Sequence, residues 1–359
     1  MPESILAGCD LHDKTMLLFI ARGGEAPSKR TFRSDADGRK AMIAELKKRA
    51  NEAGGARIFL AYEASGLGFG LHDELIDVGI QCFVLAPSKI KRSPHGRRNK
   101  TDEKDAMLLL ETLRAHVLAG NTLPAIVVPT IEQRDDRELV RARLDAQDKS
   151  GAVKTQIRTL LKRYAISKPK EMQQNAWTRP YRAWLNGLRS DKRLGPGARA
   201  NLASLLRQLQ VLECEVETLD KQIKMLSQES RYADDVKELM KLDGPGLLTA
   251  MVFLTELGDL MRFKNRRQIA AFLGVTPAAH ESGECDDRKG HITHQGPERV
   301  RFVLCQASWN RIRTDPHERL LYERIVKKNP KHKKIALVAV MRRLAIRMWH
   351  TVLNRRAAA

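Results

Sequence analysis

Apolar residues cluster in short runs along the first 90 positions, with helically spaced stretches between them. Ile5 to Cys9 reads as a strand. Met16 to Ala21 reads as a second, across the turn Leu11-His12-Asp13-Lys14, and a less defined third spans Lys29 to Arg33. From Ala36 to Ala50, Met42, Ile43, Leu46 and Ala50 fall on one side at helical spacing. Arg57 to Tyr62 has the continuous apolar character of a buried strand, Leu67 to Val78 that of a helix, and Gln81 to Leu85 that of a strand closed by Ala86-Pro87. Thr101 is suited to cap a helix over Asp102 to Arg114.

The order is β-β-β-α-β-α-β-α, which resembles the RNase H-like fold that includes the RuvC-type nucleases. The pattern then becomes helical and charged. Glu132 to Tyr164 and Ala198 to Leu226 carry apolar residues at helical spacing, and the second run has the three-four steps of a coiled coil or antiparallel arm. Pro169, Trp177, Pro180, Trp184 and Pro196 interrupt the two runs as a hairpin connection. From about 235 a third, mainly helical unit begins. Its Leu242-Asp243-Gly244-Pro245-Gly246 segment resembles a helix-hairpin-helix turn, where the backbone N–H groups at Gly244 and Gly246 would face a phosphate. The expected division is an α/β RNase H/RuvC-like domain over 1–125, a helical coiled-coil arm over 126–234 and a mainly α C-terminal domain over 235–359.

Charge narrows the partner. Lys and Arg number 64 against 43 Asp and Glu, for a net charge of +21 and a pI near 10.0. That excess fits a polyanion, DNA or RNA. No apolar stretch approaches the roughly 20 residues that span a bilayer. Met1-Pro2-Glu3-Ser4 lacks the basic region of a secretory signal, and five dispersed cysteines without a CxxC pair fit a reducing cytoplasm. The basic positions with the strongest placement are Lys89, Lys91, Arg92, Arg97, Arg98 and Lys100 before the capped helix, Arg288 and Lys289 in an irregular run, and Lys333 and Lys334 near the C-terminus.

Against that background four acids stand out. Asp10 ends the first strand, Glu63 ends the strand after the first helix, and Asp102 and Asp105 sit three apart on one helix face. Asp13 is a neighbour of Asp10, but it falls in turn chemistry. Clustered carboxylates repel one another unless a cation neutralises them. The expectation is a site for Mg²⁺ or Mn²⁺, hard cations that take carboxylate oxygens and act on phosphodiesters. His280, Cys285, His291 and His294 match no common zinc spacing.

The motifs G-C-D at Gly8 to Asp10, Y-E-A-S-G at Tyr62 to Gly66 and N-K-T-D-E-K-D-A at Asn99 to Ala106 carry a further resemblance. With them go G-P-G-L-L-T-A, L-T-E-L-G-D-L-M-R-F, A-A-F-L-G-V-T-P, E-S-G and G-H-I-T-H-Q-G-P in the C-terminal unit. Together they resemble the DEDD-type insertion-sequence transposases with a C-terminal serine, the bridge-RNA-guided recombinases. The resemblance implies metal binding by Asp10, Glu63, Asp102 and Asp105, and a nucleophilic Ser282 in Glu281-Ser282-Gly283. It also implies donor and target DNA, a structured guide RNA, and dimers that assemble to tetramers. A family Thr-Lys-x-Gly appears here as Thr293-His294-Gln295-Gly296. Two rivals share part of this pattern. A RuvC-type junction resolvase would use the acids but not the arm or the serine, and a non-catalytic nucleic-acid-binding protein would need the charge but not the acids.

Overall fold

The computed structural model describes residues 3–90, 101–172, 177–279, 289–328 and 330–358, with 279, 289 and 290 described by their backbone. The chain divides into two compact units, Met1–Val128 and Pro129–Ala359.

The first unit is a five-stranded sheet with helices on both faces. Its elements are β1 (Ser4–Leu11), β2 (Thr15–Arg22), β3 (Ser28–Arg33), α1 (Ala36–Glu52), β4 (Arg57–Glu63), α2 (Gly70–Asp77), β5 (Gln81–Leu85) and α3 (Asp102–Ala119). Strand order is β3-β2-β1-β4-β5. The hairpin strands β1, β2 and β3 pair antiparallel, whereas β1–β4 and β4–β5 are parallel. This mixed α/β sheet is consistent with the RNase H-like reading. Two boundaries differ from the sequence expectation by three residues or more. Helix α2 starts at Gly70 rather than Leu67, because a turn closes from Gly68 N–H to the Ser65 carbonyl with Gly68 at φ +70°. Helix α3 continues past Arg114 to Ala119 and stops at Gly120, whose left-handed φ of +72° ends helices cheaply.

Residue alternation explains both faces of the sheet. Ile5, Ala7 and Cys9 on β1 and Leu60 and Tyr62 on β4 point into the core beneath Met42, Leu46, Leu71 and Leu75. Leu6 on β1 and Phe59 and Ala61 on β4 point the other way, against Leu109, Leu110 and Leu113 of α3. Strands buried on both faces read as uninterrupted apolar runs, as β1 and β4 do.

Gly8 sets how closely α3 lies on the sheet. A Cβ at Gly8 would fall 2.3 Å from the Ala106 carbonyl oxygen and 2.3 Å from the Leu110 amide nitrogen. Both are backbone atoms of α3, so no rotamer change relieves the clash. A glycine inside a strand marks such a backbone approach.

Among the described residues, the second unit is helical apart from two short antiparallel strands. It comprises α4 (Ile131–Arg163), α5 (Arg179–Gly187), α6 (Pro196–Leu226), α7 (Ala233–Met240), α8 (Leu247–Leu257), α9 (Arg266–Phe272), β6 (Pro277–Ala279), β7 (Lys289–Ile292), α10 (Glu298–Thr314), α11 (Pro316–Lys328) and α12 (Lys333–Ala358). Thr130 and Gln133 form a reciprocal capping box at the start of α4. Helices α4 and α6 pack side by side and run antiparallel. Arg143 pairs with Asp220 at 2.8 Å and Lys154 with Glu213 at 3.0 Å, so rising numbers on one meet falling numbers on the other. At the base of the pair, Val140, Leu144 and Ile223 enter the same core as Val252, Phe253, Leu304 and Trp349. Residues 129–359, which hold most of the expected arm and all of the expected C-terminal domain, form one compact unit. Beyond the base the pair has its own core, with Ile157, Leu160, Leu185 and Leu202.

Gly8→Ala should lower the melting temperature of the N-terminal unit by an overpacking cost of about 1–3 kcal/mol. Gly24→Ala, where no atom lies within 4 Å of an added Cβ, serves as the control. Thermal melts followed by circular dichroism would show it. Coincident melting of the wild type and Gly8→Ala would mean that α3 does not rest on β1 as described.

Candidate metal centre

Alternation carries Asp10 and Glu63 to the α3 side of the sheet. Asp10 follows Leu6 and Gly8 at steps of two, and Glu63 follows Phe59 and Ala61. The two strands are parallel neighbours in register through Cys9↔Tyr62, so Asp10 and Glu63 come next on adjacent strands. Helix α3 supplies the other two acids. Its inward stripe is Asp105, Ala106, Leu109, Leu110 and Leu113, and Asp102 lies one turn before Asp105. Thr101 caps the helix by accepting from Lys104 N–H. The close approach over Gly8 lowers the start of α3 onto the end of β1.

The result is a convergence of donor atoms. One ligand atom each from Asp10, His12 and Asp102 lies within 4.8 Å of the other two. His12 Nε2 is 3.1 Å from Asp10 Oδ2 and 3.5 Å from Asp102 Oδ1. Asp10 is 16% exposed, whereas His12 and Asp102 are 50% and 62% exposed, so the group opens outward from a buried floor. Asp105 is buried beneath it. Glu63 is half-buried on the neighbouring strand and does not belong to the three-atom group.

Electrostatics agree with the geometry. Burial pushes the Asp10 carboxyl above the usual carboxylate range, and the charges of Asp102 and Asp105 push it the same way. His12 opposes them through its charge and hydrogen bond. An acid raised by burial and by two like charges is disfavoured as an anion until a cation arrives. Oxygen donors with one imidazole nitrogen suit a divalent cation, and the donors present fit one.

Neighbouring acids are occupied or displaced. Glu103 pairs with Lys29 of β3, which turns it from the group. Asp13 is an exposed turn residue. His12 was not among the sequence-level candidates. Its signal was present as Asp-x-His at a strand end, where a tight turn folds the second side chain back beside the first.

The basic candidates divide. Lys89 is exposed in a short helical turn at Pro87–Lys89, and Lys333 and Lys334 are exposed at the start of α12. Lys91, Arg92, Arg97, Arg98, Lys100, Arg288 and Ser282 lie outside the described residues, and Lys289 is described by its backbone in β7.

The glycines of the C-terminal motifs have packing roles. Gly244, at φ +104°, would place a Cβ 2.5 Å from the Ala307 carbonyl oxygen of α10. Arg311 of α10, buried, donates to the Asp243 carbonyl at 3.0 Å. Gly246, by contrast, is exposed at the start of α8. Gly274 abuts the Gln295 backbone and Gly296 abuts the Phe272 backbone. Arg301 ties the same two segments by donating to the carbonyls of Leu273, Gln295 and Gly296. This clasp holds β6 and β7, which pair at Ala279↔Lys289, the two points where the chain enters and leaves the segment that contains Ser282.

Sequence comparison adds to this picture. Residues 236–323 match the Transposase IS116/IS110/IS902 family, and residues 7–166 match the IS110 DEDD transposase family. A Sinorhizobium fredii protein with a transposase name, y4qE, is 32% identical over 252 residues, which is 70% of this chain and 58% of that protein. A second from the same organism, y4rJ, is 29% identical over 92% of this chain and 86% of its own length. The transposase for insertion sequence element IS1533 of Leptospira borgpetersenii is 24% identical over 86% of each chain.

Asp10→Asn should raise the melting temperature of the metal-free protein at neutral pH. A carboxyl whose pKa is raised on folding costs stability wherever it is ionised. The difference from wild type should shrink as pH falls and should vanish below the ordinary aspartate range. Added Mg²⁺ or Mn²⁺ should stabilise the wild type and leave the variant unmoved. Equal metal-induced shifts in both proteins, read by differential scanning fluorimetry, would remove Asp10 from the metal centre.

Proposed function

Residues 7–166 and 236–323 match insertion-sequence transposase families of the IS110 kind, and on that ground we propose that the chain is a transposase of this kind, a recombinase that cuts and rejoins DNA under the direction of a structured guide RNA, through a covalent bond between Ser282 and DNA. The observation that carries the reading is the convergence of Asp10, His12 and Asp102 over buried Asp105 at the meeting of β1 and α3. A bound Mg²⁺ or Mn²⁺ would supply Lewis-acid polarisation of a phosphodiester oxygen. In this reading Asp10, Glu63, Asp102 and Asp105 would hold it, with His12 beside Asp10 and Asp102. No helix among the described residues is long and apolar enough to cross a membrane, and the reading places the protein in the cytoplasm with its DNA.

Ser282 Oγ attacks the phosphorus, an Oγ–P bond forms, and the P–O bond to one deoxyribose breaks. The released sugar oxygen takes up a proton, and the serine hydroxyl loses one. A serine hydroxyl is a weak nucleophile and needs a base or a strong positive field. The acids lie in the N-terminal unit and the serine in the C-terminal one, and the family resemblance supports a site completed between subunits of a tetramer. The clasp of Gly274, Gly296 and Arg301 supports a fixed base for the Ser282 segment. The exposed Lys333 and Lys334 and the basic run from Lys89 to Lys100 support phosphate contacts that position the strands.

Ser282→Ala should bind RNA and DNA and assemble as the wild type does, yet give no protein–DNA adduct on a denaturing gel. Asp102→Asn should lose cleavage and keep binding, which rests on Lys and Arg. Mixing the two variants should restore part of the recombination, since some sites then combine an intact acid cluster with an intact serine. An adduct formed equally well by Ser282→Ala would return the chain to a water-using, metal-dependent nuclease.

A further inference from the structure

The charge of this chain is unevenly placed. Between Lys154 and Arg199 lie twelve Lys and Arg against two acids, Glu171 and Asp191, a net +10 from a chain total of +21. This segment is the far end of the α4–α6 hairpin, which includes the end of α4, all of α5 and the start of α6. It folds around one small core of Ile157, Leu160, Tyr181, Leu185, Leu194 and Leu202. A core that small needs no such charge on its surface.

Few of these cations are neutralised. Lys154 and Arg182 pair with Glu213, and Arg193 pairs with Asp191. Lys162, Arg163, Arg179, Arg189 and Lys192 are exposed, and among the described residues none of them has an ion-pair partner. Like charges gathered on one small fold repel, and the repulsion is relieved by a polyanion.

Aromatic rings are interleaved with the charge. Tyr181 and Trp184 stack with centroids 5.4 Å apart, and Arg158 and Lys168 lie over the rings of Trp177 and Tyr181 at 5.6 and 4.9 Å. Tyr164, at the end of α4, is 41% exposed. It and Arg163 line a cleft of about 510 Å³, closed on the other side by Gly197, Ala198 and Asn201 of α6. The cleft thus brings a tyrosine, an arginine and an asparagine together.

We propose that the hairpin tip binds an unpaired nucleic-acid strand, with phosphates along Lys162, Arg163 and Lys192 and a base stacked on Tyr164 in the cleft. A duplex presents phosphates but keeps its bases stacked inside, so it leaves the ring and the cleft unused. An unpaired strand uses both the cations and the ring, which is the combination that single-strand binders share. The inference does not depend on the catalytic reading, because it concerns binding by surfaces remote from the acids in sequence.

The full-length protein would be titrated by fluorescence anisotropy against labelled oligo-uridine RNA, oligo-thymidine DNA and a duplex of equal length. The tip variant is Lys162→Gln, Arg163→Gln and Lys192→Gln together. Its charge-matched control is Lys40→Gln, Lys47→Gln and Lys48→Gln, three exposed residues of α1. The tip variant should flatten the salt slope of log affinity for a single strand by about 2, from about 0.7 for each lost phosphate contact. Tyr164→Ala should weaken single-strand binding about five-fold or more, leave the salt slope in place and leave duplex binding unchanged. Loss on the uridine strand alone names RNA as the occupant, and loss on the thymidine strand alone names DNA. Equal slope changes in the two triple variants, a larger loss on the duplex than on the strands, or competition by polyglutamate as strong as by RNA would overturn the proposal.

Discussion

The absence of a side chain at Gly8 is the constraint on which the N-terminal site rests. Helix α3 carries Asp102 and Asp105, and β1 carries Asp10; nothing in the local propensity of either element brings them together. The helix reaches the strand because a Cβ at Gly8 would strike α3 backbone atoms and none is there. The apolar stripe of Leu109, Leu110 and Leu113 then seals the contact and supplies the favourable burial. The acids gain nothing by this approach, since burial and the neighbouring charges both disfavour the Asp10 carboxylate. Packing along α3 therefore holds in place a cluster that electrostatics alone would disperse. A site whose geometry is enforced by its scaffold is ready for a cation without rearrangement.

Much of the N-terminal unit was legible in the sequence because its strands are buried on both faces. Such strands read as apolar runs, and their alternation assigns each residue to a face. Asp10 and Glu63 could be placed at strand ends, and Asp102 and Asp105 on one helix face, from spacing alone. His12 escaped because its role arises from a turn, where two residues in sequence fold back to one point in space. Gly8 escaped because its partners are Ala106 and Leu110, about a hundred positions away, and spacing carries no information over that range. The end of α2 nearer Leu67 was misplaced for a local reason, the Ser65–Gly68 turn that delays the helix.

The C-terminal unit shows the converse. Its glycine motifs were conspicuous, and a phosphate-facing turn was the natural expectation for Gly244 and Gly246. Gly244 packs closely on α10, beside the buried Arg311, and Gly246 is exposed at the start of α8. Arg311 pairs with Asp315 at 2.7 Å and reaches Glu318 at 3.4 Å, so its burial is compensated by charge as well as by the Asp243 carbonyl. The same economy appears where Asp235, buried, receives Arg355 and Arg356 from α12. Displacing these arginines would leave Asp235 or Glu318 buried without a charge partner, which disfavours any shift of the helices that carry them.

Charge and fold are separable in this chain, and that separation bears on function. Buried Arg311 is matched by Asp315 and Glu318, and buried Asp235 by Arg355 and Arg356, so these pairs add little to the external field. The net excess instead lies on surfaces, and nearly half of it is concentrated on the tip of the α4–α6 hairpin. The acids of the N-terminal unit do the opposite, gathering negative charge at one point in a basic protein. A polyanion drawn to the basic surfaces is repelled by an acid cluster until divalent cations offset its charge. Phosphate capture and phosphodiester chemistry would then be coupled through the metal: strands could dwell on the basic surfaces without it, and could enter the acid cluster only with it.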